Sequence, residues 1–190
     1  MRVSQRLLPA RRERTRQGIV QAAQRLFAHY GFRRTTMEEI GRAAGVAKAT
    51  LYAYFPDKEQ ALVAVVEAVT ADLEAEAVRR AQDAASPREA VASLLREKFG
   101  REWAVLNEST HAAELLAASE GLARPQLEQA KKRFLKLLGE QLRRAGTPAG
   151  ESRALAETLY LAFDGLVRGS SSSRELERRA TLLLDRVLPR

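Results

Sequence analysis

The chain has 190 residues, 45% of them hydrophobic and rich in Ala, Leu, Arg and Glu, with a formal net charge of +8. That length buries a real core in one or two domains, and the composition favours helix over strand. There is no cysteine, which excludes disulfides, thiolate nucleophiles and cysteine-bound metals. No apolar run reaches the roughly 18 residues that span a bilayer, and the basic N-terminus lacks the apolar block of a secretory signal. A cytoplasmic protein with no membrane contact is expected.

The charge is uneven. Through Gln60 there are 12 Lys/Arg against 5 Asp/Glu, which accounts for +7 of the whole. A basic first third on a nearly neutral remainder is the footprint of a polyanion binder, although solvated basic faces share it.

In chain order, residues 1–11 show no periodicity and read as a basic arm carrying Arg2, Arg6 and Arg11. Such an arm either follows phosphates or is simply a solvated tail. A first helix is expected from Arg12 to Tyr30, with Ile19, Ala22, Ala23, Leu26 and Phe27 on its apolar face and Gly31 at its C-terminal cap. Thr36 and Glu39 have capping-box spacing for a second helix, whose inner face reads Ile40, Ala43 and Ala44. Gly45 stops it, Ala47 to Phe55 forms a third helix, and Pro56 ends that one.

Asp57 caps a fourth helix with an inner stripe of Leu62, Val65, Val66, Val69 and Leu73. Ser86-Pro87-Arg88-Glu89 starts a fifth, interrupted at Gly100. Further helices are expected from Glu102 to Ser119, Gln126 to Ala145, Glu151 to Arg168 and Ser173 to Leu188, with Gly146–Gly150 the clearest loop. The fold class is all-α.

The segment Thr36–Lys58 carries the chemistry. A helix-turn-helix packs two short helices steeply and leaves one outer face free. Gly41 permits the close approach, Gly45 the turn, and Leu51 buries the second helix. The free face then presents Lys48, Ala49, Tyr52 and Ala53, with Ala47 at its start and Thr50 and Tyr54 near its edges. Readers of the major groove put such residues on base edges while neighbours hold phosphates. Lysine donates to guanine, Thr and Ala methyls touch thymine, and Tyr hydroxyls donate to phosphate. Lys58 adds charge at a helix N-terminus suited to phosphate. The competing reading makes the aromatics core residues, and Phe55 fits that better than Tyr52 does.

From Ile19 to Val65 the sequence, with its LFAHYGFRRTTMEEIGRAAGVAKATLYAYFPDKEQAL core, resembles the DNA-binding domain of TetR-family transcriptional regulators. The resemblance covers about the first third. It matches Thr50, Leu51, Tyr52, Tyr54 and Phe55 to the family's recognition helix, Lys58 to a phosphate contact and Thr36 to a backbone contact. Ala47 departs from a frequent serine and Ala53 from a larger residue, which leaves Lys48 as the charged candidate for base reading.

The resemblance implies about nine helices. Residues 12–58 form an N-terminal three-helix, helix-turn-helix DNA-binding domain, and 59–190 a C-terminal helical ligand-binding and dimerisation domain. It also implies a pocket among the middle helices, and a homodimer on a palindromic double-stranded DNA operator. The apolar stripe Leu155, Leu159, Ala162, Leu166, Leu176, Ala180, Leu183 and Val187 suits a dimer bundle of the last two helices, or packing within one subunit.

Trp103, Asn107, Thr110, His111 and Glu114 fall on one helix face, which either lines a ligand site or faces solvent. Phe99, Phe134, Leu138, Tyr160 and Phe163 read as pocket walls or as core. Mostly apolar lining points to a hydrophobic or aromatic small-molecule effector, such as an acyl or aromatic-acid derivative.

No paired catalytic groups, phosphate loop or metal-ligand spacing is legible, so no enzyme activity, metal or cofactor is expected. A helical adaptor that never touches DNA is the alternative.

Overall fold

The computed structural model describes the backbone of residues 3–108 and 110–188. Among these, nine α-helices follow one another with no strand: α1 (Val3–Tyr30), α2 (Met37–Ala44), α3 (Lys48–Tyr54), α4 (Lys58–Asp83), α5 (Pro87–Glu108), α6 (Ala112–Leu122), α7 (Arg124–Arg144), α8 (Ser152–Gly169) and α9 (Ser173–Val187). No described helix is long and apolar enough to cross a membrane.

The chain divides into two compact units, the first made of residues up to Val69 with Thr110–Leu127, the second of Thr70–Ser109 with Glu128–Arg190. In the first unit α1, α2, α3 and the start of α4 close on Ile19, Ala23, Phe27, Ile40, Leu51 and Leu62. Leu115 and Ala118 of α6 pack against this same core. In the second unit α5, α7, α8 and α9 surround Leu94, Leu95, Phe99, Leu138, Leu159 and Phe163. Here Trp103 is buried and its indole N–H donates to the Ser170 carbonyl at 3.0 Å.

The local signals act as the sequence implies. Thr36 and Glu39 form a reciprocal capping box at α2. Asp57 accepts the Gln60 N–H at 2.7 Å, and Ser86 accepts the Glu89 N–H at 3.1 Å.

Five readings change. The helix starts at Val3, so the expected arm is helical over most of its length, while Arg2 lies outside the described residues. Ala43 is exposed and Met37 takes the buried position on α2. Leu73 is exposed rather than part of an inner stripe. Gly100 does not interrupt α5, because a helix interior tolerates one glycine at about 1 kcal/mol and flanking Phe99 and Trp103 are buried. The break falls instead between Glu108 and Ala112.

Candidate functional site

The helix-turn-helix is built from three local constraints. Gly45 adopts φ +66°, ψ 32°, a left-handed cap that L side chains resist. A Cβ on Gly41 would stand 3.2 Å from Leu51 Cδ2, so the two helices meet at van der Waals contact across this glycine. Leu51 itself is 1% exposed and anchors α3. Ala47 occupies the N-cap of α3 with extended backbone and makes no side-chain cap bond. Ala47→Ser should therefore stabilise the protein by about 0.5–1 kcal/mol in chemical denaturation, by supplying the missing acceptor.

This frame leaves Ala47, Lys48, Ala49, Tyr52 and Ala53 exposed on one side. Thr50 and Tyr54 are half-buried, and Tyr54 packs against the core with part of its ring. Phe55 is buried, and the Arg16 guanidinium lies 5.7 Å from its ring centroid. Thr36 is exposed at the start of α2, although its hydroxyl is engaged with Glu39.

Two cations on this face have partners the sequence did not reveal. Lys48 Nζ donates to Glu38 Oε1 of α2 at 2.8 Å, with both side chains largely exposed. The Lys48 hydrogen bond and charge hold the Glu38 carboxyl below its ordinary value, and Glu38 likewise raises the Lys48 ammonium. A lowered carboxyl contributes above the ordinary carboxylate value and loses that contribution as pH falls through the lowered one. A raised ammonium loses its share only as pH rises through the raised value, so the pair persists across the neutral range.

Replacing Glu38 removes an anion beside the helix expected to read DNA and frees its lysine. Glu38→Gln should tighten DNA binding about three- to tenfold near 0.1 M salt and steepen the salt slope by about one. A gel shift at graded salt reads both quantities.

Lys58 is a tether rather than a free charge. Its Nζ donates to the carbonyls of Phe32 at 3.0 Å and Arg33 at 3.3 Å and lies 4.6 Å from the Phe32 ring centroid. An ammonium has three donors, so these two bonds do not exhaust it. The same turn is held from the other side, where Glu114 of α6 accepts the Arg33 N–H. Gly31, at φ +84°, leaves the room for it: a Cβ there would lie 2.7 Å from Glu114 Oε2 and 3.2 Å from His111 Nδ1.

The expected ligand face dissolves accordingly. Trp103 and Asn107 end α5, whereas His111 and Glu114 belong to the next element and to the first compact unit. His111 and Glu114 lie against the Gly31 turn, Trp103 is a packing residue, and the Asn107 amide donates back to the Trp103 carbonyl at 2.9 Å. Leu138 and Phe163 are fully buried core.

Phe99, Phe134 and Tyr160 do come together. The Phe99 and Tyr160 rings stand edge to face at 5.3 Å, and Phe134 and Tyr160 at 6.2 Å. A separate cleft of about 100 Å³ lies against Phe99 and Phe163, bounded by α9 through Leu176 and Ala180. On the last two helices Leu159, Leu176 and Ala180 are buried within the single chain. They pack the core of the chain itself, which takes them out of the expected dimer stripe. Leu155, Ala162, Leu166, Leu183 and Val187 are half-buried, while Leu161 and Leu182 are 65% and 60% exposed.

A basic, exposed recognition helix seated by a glycine turn on a helical bundle defines a helix-turn-helix DNA-binding protein. The model for bacterial regulatory proteins of the tetR family matches residues 19–65. The HTH-type transcriptional regulator BetI of Rhizobium meliloti is 33% identical over 177 residues, covering 89% of this chain and 84% of that protein. The chain belongs to the TetR family of transcriptional regulators.

Among solved structures, a TetR-family regulator from Mesorhizobium loti superposes with TM-score 0.70 at 23% identity, covering 93% of this chain and 96% of that one. A transcriptional regulator from Saccharomonospora viridis in complex with choline gives TM-score 0.73 at 18% identity, covering 93% and 98%.

Proposed function

We propose that the protein is a ligand-responsive repressor that binds a palindromic operator as a homodimer and leaves it when a small molecule binds among α5, α7 and α8. The exposed face of α3 carries the reading: Lys48, Ala49, Tyr52 and Ala53 meet base edges, while Thr36, Thr50, Tyr54 and Lys58 hold the backbone. A homodimer is supported by Leu161 of α8 and Leu182 of α9, large apolar side chains that one chain leaves uncovered. Two-fold symmetry then presents two recognition helices to half-sites one helical turn apart. Acting on DNA, the protein works in the cytoplasm.

The coupling runs through the turn at residues 31–33. Lys58, on α4, and Glu114, on α6, both hold its backbone. A ligand that shifts α4 moves a phosphate-binding lysine along with its tether, and changes how the recognition helices meet the groove. It needs only a few kcal/mol of differential affinity between the two states.

The aromatic lining of Phe99, Phe134 and Tyr160 suits an aromatic or otherwise hydrophobic effector. The choline complex of the Saccharomonospora viridis neighbour adds that this fold accommodates a small organic cation.

Gel shifts on DNA flanking the gene, with sedimentation to give the mass of the complex, test the reading. Salt-sensitive binding of one dimer per palindrome is expected. Absence of binding on every fragment would sink it and leave the helical adaptor.

A further inference from the structure

Lys98 stands out among the charged side chains. It precedes buried Phe99 on α5, and its partly exposed side chain turns toward the protein rather than straight out. It folds back to 4.3 Å from the Phe99 ring centroid, 4.9 Å from Tyr160 and 5.8 Å from Phe134. On its remaining side Nζ meets Glu102 Oε2 at 2.9 Å, and both side chains keep only about a quarter of their exposure. Three rings from α5, α7 and α8 thus wall one ammonium, with a carboxylate as the fourth side. Neighbouring rings meet at 70° and 65° rather than stacking, so Tyr160 shares its surroundings with two steeply inclined rings. A second ammonium, Lys131 Nζ, lies 4.8 Å from the Tyr160 ring centroid.

Ring faces carry negative potential, and several of them beside one carboxylate are the chemistry that recognises organic ammonium ions. We infer that this box is the effector site, that its ligand is a small quaternary ammonium compound, and that Lys98 is a tethered competitor filling the box until that ligand displaces it. The inference rests on the ligand-responsive reading above and names its ligand class.

A quaternary ammonium is the better occupant for a physical reason. It sheds water more easily than a primary ammonium and spreads its charge over methyl groups that touch all three rings. Lys98 has the advantage of being attached, which gives it a high local concentration. The apparent affinity for a free ligand is therefore reduced by the fraction of time the box is empty. The lysine sets a threshold: low concentrations of cation leave the protein unresponsive. Being partly exposed and flexible, its side chain can swing outward while keeping its charge in water.

Calorimetric titration of the full-length protein tests this with three probes: choline, its uncharged carbon analogue 3,3-dimethylbutan-1-ol, and benzoate. The wild type should bind choline at least about tenfold tighter than the uncharged analogue. Lys98→Met should tighten choline binding by about tenfold, and Lys98→Gln should do so in parallel, since either removes the competitor. Lys98→Arg keeps a cation in the box and should behave as the wild type does. Adding Tyr160→Leu to Lys98→Met should cancel the gain.

Equal affinity for the uncharged analogue, preference for benzoate, or no gain in either Lys98 variant would each overturn the inference. Should Lys98→Met fail to fold, Lys98→Gln and the wild-type selectivity still decide. Operator release is scored separately. Choline binding that leaves operator occupancy unchanged removes the repressor reading and keeps the site, whereas release by another compound with no cation binding does the reverse.

Discussion

Leu51→Ala should cost about 2–5 kcal/mol of stability and weaken operator binding by up to about a hundredfold. Leu51 is the side chain by which α3 is buried, at 1% exposure. Its Cδ2 lies 3.2 Å from where a Cβ of Gly41 would stand, so truncation opens a void in a contact with no slack. The helix has seven residues and lacks a side-chain N-cap bond. A helix this short does not hold itself together in water, so losing the anchor loosens the whole reading face. The check pairs denaturation of the full-length variant with an operator titration. A stability loss without an affinity loss would mean that α3 is seated by something other than Leu51.

Gly31→Ala should destabilise the protein by about 1–3 kcal/mol and uncouple α6 from the recognition unit. Two independent costs meet at this position. The backbone sits at φ +84°, and the new methyl would stand 2.7 Å from Glu114 Oε2. The carboxylate must retreat, and the Arg33 N–H then loses its acceptor. The expected signature is operator binding that persists with a blunted response to effector. Gly45→Ala serves as the comparison, because its φ is also positive but nothing lies within 4 Å of the added methyl. If both variants respond to effector alike, the contact between α6 and the turn plays no part in signalling.

What the sequence disclosed follows from the range of each signal. The helix-turn-helix is legible because its determinants are local: a capping box spanning four residues, a glycine turn and a leucine six residues beyond it. The partners of Lys48, Lys58 and Arg33 lie 10, 26 and 81 positions away, and no spacing rule reaches them.

Glycine misled at position 100 because burial on both sides outweighs a single weak helix former. The stretch between Glu108 and Ala112, where one helix gives way to the next, has neither Gly nor Pro, only a polar run beginning at Asn107. On α8 and α9 the apolar stripe was real, but periodicity cannot tell an inner layer from an outer one. Leu159, Leu176 and Ala180 went inside, and the uncovered Leu161 and Leu182 lie off that stripe. Lys98 escaped notice because a lysine on a helix ordinarily signals solvent.

The alanines of the recognition face have an evolutionary consequence. Ala49 and Ala53 are exposed, and substitutions at such surface positions usually change stability by less than about 0.5 kcal/mol. Each is a site where a longer polar side chain can acquire a base contact worth about 1–3 kcal/mol of discrimination. If this face reads DNA as proposed, it is close to blank, and a new target sequence lies one substitution away at little cost to the fold. A duplicated copy of this gene is well placed to take over a different promoter.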